Sequence, residues 1–390
     1  MNVKSLILRK SLPKGLLNPR IPGNGPGSSL SIARFGDSNY ALSWEYIQRT
    51  SQYYENIQKA VIRPTLGLTG PITNLADNKD KSTLDANPVM AVAPDGTIGL
   101  VFVRSIQNEE YELNSNVYFA RLNANGGLIS PVTKLTNNID YTFDLVFNLP
   151  VIAATTNNQF VIAYEAMTPT TSSFVAKDID LAVLDTGGTI ISPPHPVTHS
   201  EIDQLVYYTP TVTQINNGEV FLAFLSQASG TPFGQVVYTT VQPSVGTIGP
   251  VALLNNATGE GTRSATLNDG TILLAWVNDG SLSAGFTLFP QGNLAGVLAP
   301  ATLNSANGWK IGNISLTKEI NGNGVITWQD EWGYLLYYAL VAPDGALLTP
   351  PMAYQRGSNT SNPNIISSST GKGVAPLDLF WPAYLPILRR

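Results

Sequence analysis

The chain has no cysteine. Disulfides, thiol catalysis and cysteine-ligated zinc or iron–sulfur centres are therefore excluded. Histidine is nearly as scarce, with only His195 and His199. A Ser–His–Asp triad would have to use one of them, yet both fall on a segment that reads as an outer strand, a poor place for a protected nucleophile. That segment also carries Glu201 and Asp203, the one grouping that suggests a metal. Residues four apart on a strand are roughly 13 Å apart, too far for a single ion, so neither a metal nor a cofactor is expected. Charged residues make up 13 % of the chain, against about 25 % in an ordinary soluble domain. The net charge is −5, and no basic stripe interleaved with aromatics occurs, so nucleic acid is not an expected partner. No apolar run approaches the ~18 residues of a spanning helix. Met1 to Lys10 has too few apolar residues between its charges to be the core of a secretory leader. No segment combines a helical period with caps. The Gly-rich stretch Asn321-Gly322-Asn323-Gly324 lacks the Lys-Ser/Thr of a phosphate loop and reads as a turn.

What is present is a repeat. Ile272-Leu273-Leu274-Ala275-Trp276 is a short apolar run ending in an aromatic, and the same shape ends at Trp44, Phe102, Tyr164, Phe224, Trp328 and Trp381. Successive subtraction of these seven positions, from Trp44 to Trp381, gives steps of 58, 62, 60, 52, 52 and 53 residues. A period of this size signals stacked units that share one core. Each run is followed by a variable loop, a second strand such as Asn116 to Leu122, a glycine turn and a short strand near a proline. The glycine–proline pairs are Gly127 to Pro131, Gly188 to Pro193, Gly246 to Pro250, Gly292 to Pro300, Gly345 to Pro350 and, more loosely, Gly67 to Pro71. Glycine suits the turn, and proline suits an outermost strand. A strand such as Asn87 to Ala93 then leads into the next run. One unit is thus four strands, A to D. The chain opens with C and D strands, Asn2 to Leu8 and Lys14 to Pro19, and closes with an A strand at Asn364 to Ser367 and a B strand ending at Trp381.

Over essentially its whole length the pattern resembles a seven-bladed β-propeller of a bacterial surface or secreted repeat type. It lacks the recurrent Gly-His and Trp-Asp pairs of the WD40 class, the double glycines of Kelch repeats and the full Asp box of sialidases. The resemblance implies an all-β fold of four-stranded antiparallel blades, with the ring closed by N- and C-terminal strands in one shared blade. Residues 1–381 would form a single domain in which 1–27 complete the last blade, leaving 382–390 as a tail. A β-sandwich array is the other reading; it would leave the terminal half-units unpaired.

In such a blade the A–B and C–D turns share one face, and here they are tight Asn/Asp-Gly turns. The long B–C and D–A loops share the other, the usual place for function. Acids and aromatics crowd this second face: Glu45, Tyr46, Tyr53, Tyr54, Glu109, Glu110, Tyr111, Asp140, Tyr141, Asp203, Tyr207, Trp309, Asp330, Glu331 and Trp332. Aromatic planes beside carboxylates suit a protein interface, where tyrosine and tryptophan are enriched, or a carbohydrate. The closing blade is basic, with Lys4, Arg9, Lys10, Lys14, Arg20, Arg389 and Arg390, and Tyr384 lies in its tail. The resulting expectation is a non-enzymatic binding or structural module of an extracellular or particle-surface assembly. It would contact a protein partner or itself, head to tail, through the loop-rich face and the basic blade. The alternative is a carbohydrate-binding or glycan-cleaving propeller, hydrolase or lyase, with carboxylates on the loop-rich face.

The half-units at the two ends generate a test. Deleting residues 1–20 should expose two unpaired sheet edges and abolish cooperative unfolding, read by circular dichroism on heating. A truncated chain that melts like the full one overturns closure by the termini.

Overall fold

The computed structural model describes residues 30–35, 39–49, 53–63, 67–68, 73–75, 83–107, 113–137, 148–169, 175–215, 218–228, 230–278, 280, 282–304, 310–319, 321–330, 335–356, 365–367 and 374–376. Almost everything in them is β-strand. The first unit is β1 (Leu30–Phe35), β2 (Asn39–Arg49) and β3 (Tyr53–Arg63), with two short outer strands, β4 (Gly67–Leu68) and β5 (Thr73–Asn74). The second is β6 (Thr83–Val92), β7 (Ile98–Gln107), β8 (Leu113–Leu122) and β9 (Thr133–Lys134). The third is β10 (Asn148–Ala154), β11 (Gln159–Pro169), β12 (Val175–Asp185) and β13 (Ile190–Pro196). The fourth is β14 (Leu205–Gln214), β15 (Val220–Ala228), β16 (Gly234–Gln242) and β17 (Thr247–Ile248). The fifth begins in β18 (Ala252–Thr266) and continues as β19 (Ile272–Asn278), β20 (Ser283–Phe289) and β21 (Ala301–Asn304). The sixth is β22 (Ile311–Lys318), β23 (Gly324–Asp330), β24 (Leu335–Val341) and β25 (Leu347–Arg356). A final antiparallel pair, β26 (Ile365–Ser367) and β27 (Val374–Pro376), follows.

Within each unit the strands pair antiparallel in chain order. The first strands of successive units lie against one another, and β26 touches both β22 and β1. The fold is all-β and of propeller type.

The packing explains the apolar runs. The second strand of a unit is buried on both sides, and alternate side chains serve different neighbours. On β19, Ile272, Leu274 and Trp276 join a core shared with the fourth unit. Leu273, Ala275 and Val277 join a core shared with the sixth. β15 and β11 divide their residues in the same way. The repeated aromatic always faces the preceding unit: Phe102, Tyr164, Phe224, Trp276 and Trp328 are all at most 1 % exposed. Among the described residues each core cluster is the seam between two units.

The A–B and C–D turns are tight for a local reason. The Asp95, Asp269 and Asp344 carboxylates each accept a backbone N–H two residues on, as Asx turns do. At the turn of the second unit the positive φ belongs to Gly126 (φ 76°) and not to Gly127. Two features depart from the sequence reading. Ser200–Asp203 forms one turn of helix, α1, induced from a distance: the Asp178 carboxylate accepts the Ser200 N–H (2.7 Å) and hydroxyl (2.7 Å). And β18 is one 15-residue strand serving two units. Its start pairs with β16 at Leu253↔Val237, and its end pairs with β19.

The seams should dominate stability. Trp276→Ala or Trp328→Ala is expected to cost about 3–5 kcal/mol. Gly285→Ala, whose added Cβ would overlap the Trp276 indole, should cost about 1–3 kcal/mol. Equilibrium unfolding in urea measures both.

Candidate functional site

The first strand of a unit carries one irregularity that recurs. Register shifts lie at Ala86/Val89, Asn148/Val151, Tyr208/Thr211, Glu260/Thr262 and Ile311/Ile314. Four of these bulges hold a residue at positive φ: Asn87 (53°), Leu149 (54°), Thr209 (49°) and Gly261 (61°). All lie near the end of the strand remote from the A–B turn, and so on the loop-rich face. A β-bulge re-aims side chains, and left-handed backbone at a β-branched residue such as Thr209 is strained.

Glutamates from the preceding unit hold two of these bulges. Glu45 accepts the Asn87 N–H at 2.7 Å, and Glu165 accepts the Thr209 N–H at 2.6 Å. Both follow the repeated aromatic by one residue, which turns them toward the next unit. Glu165, 1 % exposed, also pairs with Lys177 at 2.6 Å, and the Lys177 ammonium lies 5.5 Å from the Tyr208 ring centre. In the second unit Arg104 grips the buried Asp85 with two bonds of 2.6 and 2.8 Å and lies over Phe102 and Tyr118.

Beside the bulges of the fourth and fifth units lies a cavity of about 450 Å³ lined by Tyr208, Thr209, Gln227, Glu260, Arg263 and Ile314, among others. The bulge at Gly261 makes this site. Glu260 pairs with Val277 and Arg263 with Ala275; Val277 and Ala275 are two apart on β19, so the extra residue sets Glu260 and Arg263 on one side of β18. There they face the sixth unit and stand roughly 7 Å apart along the strand. Arg263 donates to the Thr262 carbonyl at 2.7 Å. Among the described residues the ion pairs are Arg104–Asp85 and Lys177–Glu165, so Glu260 and Arg263 share the cavity without pairing. Water reaches Arg263, yet the protein around it desolvates the guanidinium and lowers its pKa; it remains a cation. Burial is the main cause raising the Tyr208 pKa, opposed by a hydrogen bond from the Gly234 backbone and reinforced by Glu260 and Glu165. Two carboxylates thus act on Tyr208.

A larger cavity, about 540 Å³, opens near the turn-rich end and is lined by Thr156, Thr213, Thr266, Asn268 and Lys318 among aliphatic neighbours. It offers neither an acid nor an aromatic ring, so the chemistry favours the smaller one.

Of the residues expected on the loop-rich face, Asp203 and Tyr207 come together: the Tyr207 hydroxyl donates to Asp203 at 2.8 Å. Glu45 lies in β2, on the bulge of the second unit, in a different seam. Tyr46, Tyr53, Tyr54 and Asp330 are placed on β2, β3 and β23 as backbone. Glu109, Glu110, Tyr111, Asp140, Tyr141, Trp309, Glu331 and Trp332 lie outside the described residues, as do Lys4, Arg9, Lys10, Lys14, Arg20, Tyr384, Arg389 and Arg390. The reading from sequence passed over Glu165, Lys177, Tyr208, Gln227, Glu260 and Arg263. His195 acts as a seam residue, its Nε2 lying 3.1 Å from the Gly246 carbonyl of the next unit. Among the described residues no three His, Asp or Glu side chains could hold a metal, and no helix is long and apolar enough to cross a membrane.

The acids of the third unit generate a pH test. Burial, with the Asp178 charge added, pushes the Asp180 carboxyl from 3.8 up to about 6, although the Tyr164 hydroxyl opposes the shift. Folding therefore favours the protonated acid. That contribution is complete below about pH 4 and is lost as pH rises through 6. Asp180→Asn should remove the dependence, stabilising the protein at pH 8 relative to its effect at pH 4 by roughly 2–3 kcal/mol. Urea midpoints at the two pH values check this; an equal effect at both refutes it.

No family model matches the chain, and no curated protein sequence matches it. Solved structures do match. An α-L-arabinanase of Penicillium chrysogenum superposes with a TM-score of 0.52 at 12 % identity, covering 88 % of this chain and 96 % of its own. An α-L-arabinofuranosidase of Fusarium graminearum gives 0.54 at 11 % identity, covering 87 % and 96 %. A polysaccharide lyase gives 0.52 at 9 % identity, covering 88 % and 85 %. At these identities the likeness is one of fold. It nevertheless corrects the expectation of a non-enzymatic binding or structural module. Structures sharing this fold over most of the chain include glycoside hydrolases and a polysaccharide lyase, which back the carbohydrate-active alternative better than that module. Nothing in the comparisons supports the protein contacts assigned to the basic blade.

Proposed function

We propose that this protein is a carbohydrate-active β-propeller that binds a glycan across its loop-rich face and cleaves it at the cavity between β14, β18 and β22. The observation that carries the reading is an acid and a cation that line one cavity without pairing: Glu260 and Arg263 share one wall, with Tyr208 and Gln227 beside them. Other acids at this end are already engaged: Glu45 at a bulge N–H, Asp85 by Arg104, Glu165 by Lys177 and a bulge N–H. Among the described residues lining the cavity Glu260 is the carboxyl, placed to move a proton to or from a glycosidic oxygen or ring carbon, the general acid–base step of glycan cleavage. Tyr208 and Gln227 supply hydrogen-bonding groups that orient sugar hydroxyls.

The architecture completing this reading is a ring of seven blades, of a secreted repeat type, with residues 1–381 as one domain, 1–27 closing the last blade and 382–390 as a tail. The contacts of β26 with both β22 and β1 support closure, as does the effect of the Arg34 charge of β1 on Lys318 of β22. The loop-rich residues Tyr46, Tyr53, Tyr54, Glu109, Glu110, Tyr111, Asp140, Tyr141, Trp309, Asp330, Glu331 and Trp332 would form the rim that holds a polymer. An extracellular location fits such a substrate.

The test is incubation with a panel of polysaccharides, with products read by chromatography for new reducing ends and by ultraviolet absorbance for the unsaturated ends a lyase leaves. Glu260→Gln should lower the rate about 10²–10⁴-fold with an unchanged melting temperature. A full-rate Glu260→Gln variant removes Glu260 from the chemistry, and a wild-type protein that neither binds nor cleaves any glycan overturns the function.

A further inference from the structure

The charges around the cavity do not balance locally. Lys177, beside Tyr208, is neutralised by Glu165 at 2.6 Å, as Arg104 is by Asp85 in the second unit, away from this cavity. Arg263 is not neutralised: among the described residues its guanidinium reaches only the Thr262 carbonyl, through Nη1. The acid nearest in sequence, Glu260, lies on the same wall of the same cavity and forms no ion pair with it. A guanidinium presents five N–H donors in a planar fork matched to carboxylates and sulfates. One donor is on a carbonyl, and Arg263 lines the cavity with the rest of the fork unpartnered among the described residues.

Arg263 meets water at the cavity wall, and a neutral sugar bound there would displace that water without supplying a countercharge. Hydroxyl groups would accept from the fork, but they bring no charge. A carboxylate or sulfate ester on the sugar ring would meet it with charge-assisted, bidentate hydrogen bonds. Glu260 stands roughly 7 Å further along the strand and is exposed to water, so it keeps its own hydration and leaves room for a ring between the two.

We infer that the cavity takes an acidic glycan, one whose sugar carries a carboxylate or a sulfate ester, and that Arg263 is the residue that reads the charge. The inference rests on the carbohydrate-active reading of this cavity and narrows it to a substrate class. It also assigns the bulge at Gly261 a role. Without the extra residue, Arg263 would change sides relative to Glu260, and one sugar could not touch both.

The experiment measures oligosaccharide binding by calorimetry with three size-matched probe sets: oligogalacturonides for carboxylate, sulfated chondroitin oligosaccharides for sulfate, and arabino- and xylo-oligosaccharides as neutral references. Wild-type protein should prefer one acidic set over the neutral ones by about ten- to a hundredfold, with the preference shrinking at high salt. Arg263→Gln should erase that ratio, and Arg263→Lys, which keeps the charge but loses the fork, should restore only part of it. Melting curves confirm that both variants fold. Whichever acidic set binds tighter names the group. A wild-type preference for neutral oligosaccharides, or an acidic preference that survives in Arg263→Gln, overturns the inference while leaving a glycan-active site in place. Failure to bind any of the three sets removes both.

Discussion

The structure depends on strands buried on both faces. A second strand such as β19 gives Ile272, Leu274 and Trp276 to one neighbour and Leu273, Ala275 and Val277 to the other. Because side chains alternate along a strand, a blade cannot complete a core without the blades beside it. The closing aromatic then faces backward in every described seam, and the residue after it faces forward. Where that forward residue is apolar, as at Leu225 or Val277, it extends the next core. Where it is glutamate, as at Glu45 and Glu165, it reaches the first strand of the next blade and holds its bulge. Packing and polar architecture follow from the same alternation.

The bulges convert this scaffold into a site. Left-handed backbone at Leu149 or Thr209 is unfavourable by itself and persists because the seams fix the strands on either side. At Thr209 the N–H is held by Glu165, and the Thr209 carbonyl accepts the Thr262 hydroxyl. Further along, hydroxyl pairs Thr211–Ser264 and Thr213–Thr266 join β14 to β18. These contacts set the wall from which Tyr208, Glu260 and Arg263 project. The polar groups of the cavity are thus carried by strands, which place side chains more firmly than loops do.

Much of the fold was legible because its signals are local. The spacing of Trp276 and Trp328 and the Asp269 and Asp344 turns can be read without a partner strand, and β26 falls where an A strand was expected. The site was less legible because a bulge is a mismatch between two strands. Nothing in Glu260-Gly261-Thr262-Arg263 alone says that Glu260 and Arg263 share a side; that follows from pairing with Val277 and Ala275. A partial signal was present. Asn87-Pro88, Leu149-Pro150 and Thr209-Pro210 mark three bulges, and Asn362-Pro363 repeats the pair before the last A strand. The one-turn helix at Ser200 escaped for a similar reason, since its anchor is Asp178, 22 residues earlier. Abundant loop aromatics drew the functional reading outward, whereas the described cavity is built by inner strands.

The continuity of β18 has a mechanical consequence. One strand forms the outer edge of the fourth blade at Leu253 and the inner wall of the fifth at Arg263. It therefore acts as a beam running from circumference to axis. Two blades joined by such a beam cannot tilt independently, so the bulges at Thr209 and Gly261 travel together. The cavity wall on this side is thus coupled across two blades, whereas the Ile314 wall of the sixth blade is not tied by that strand.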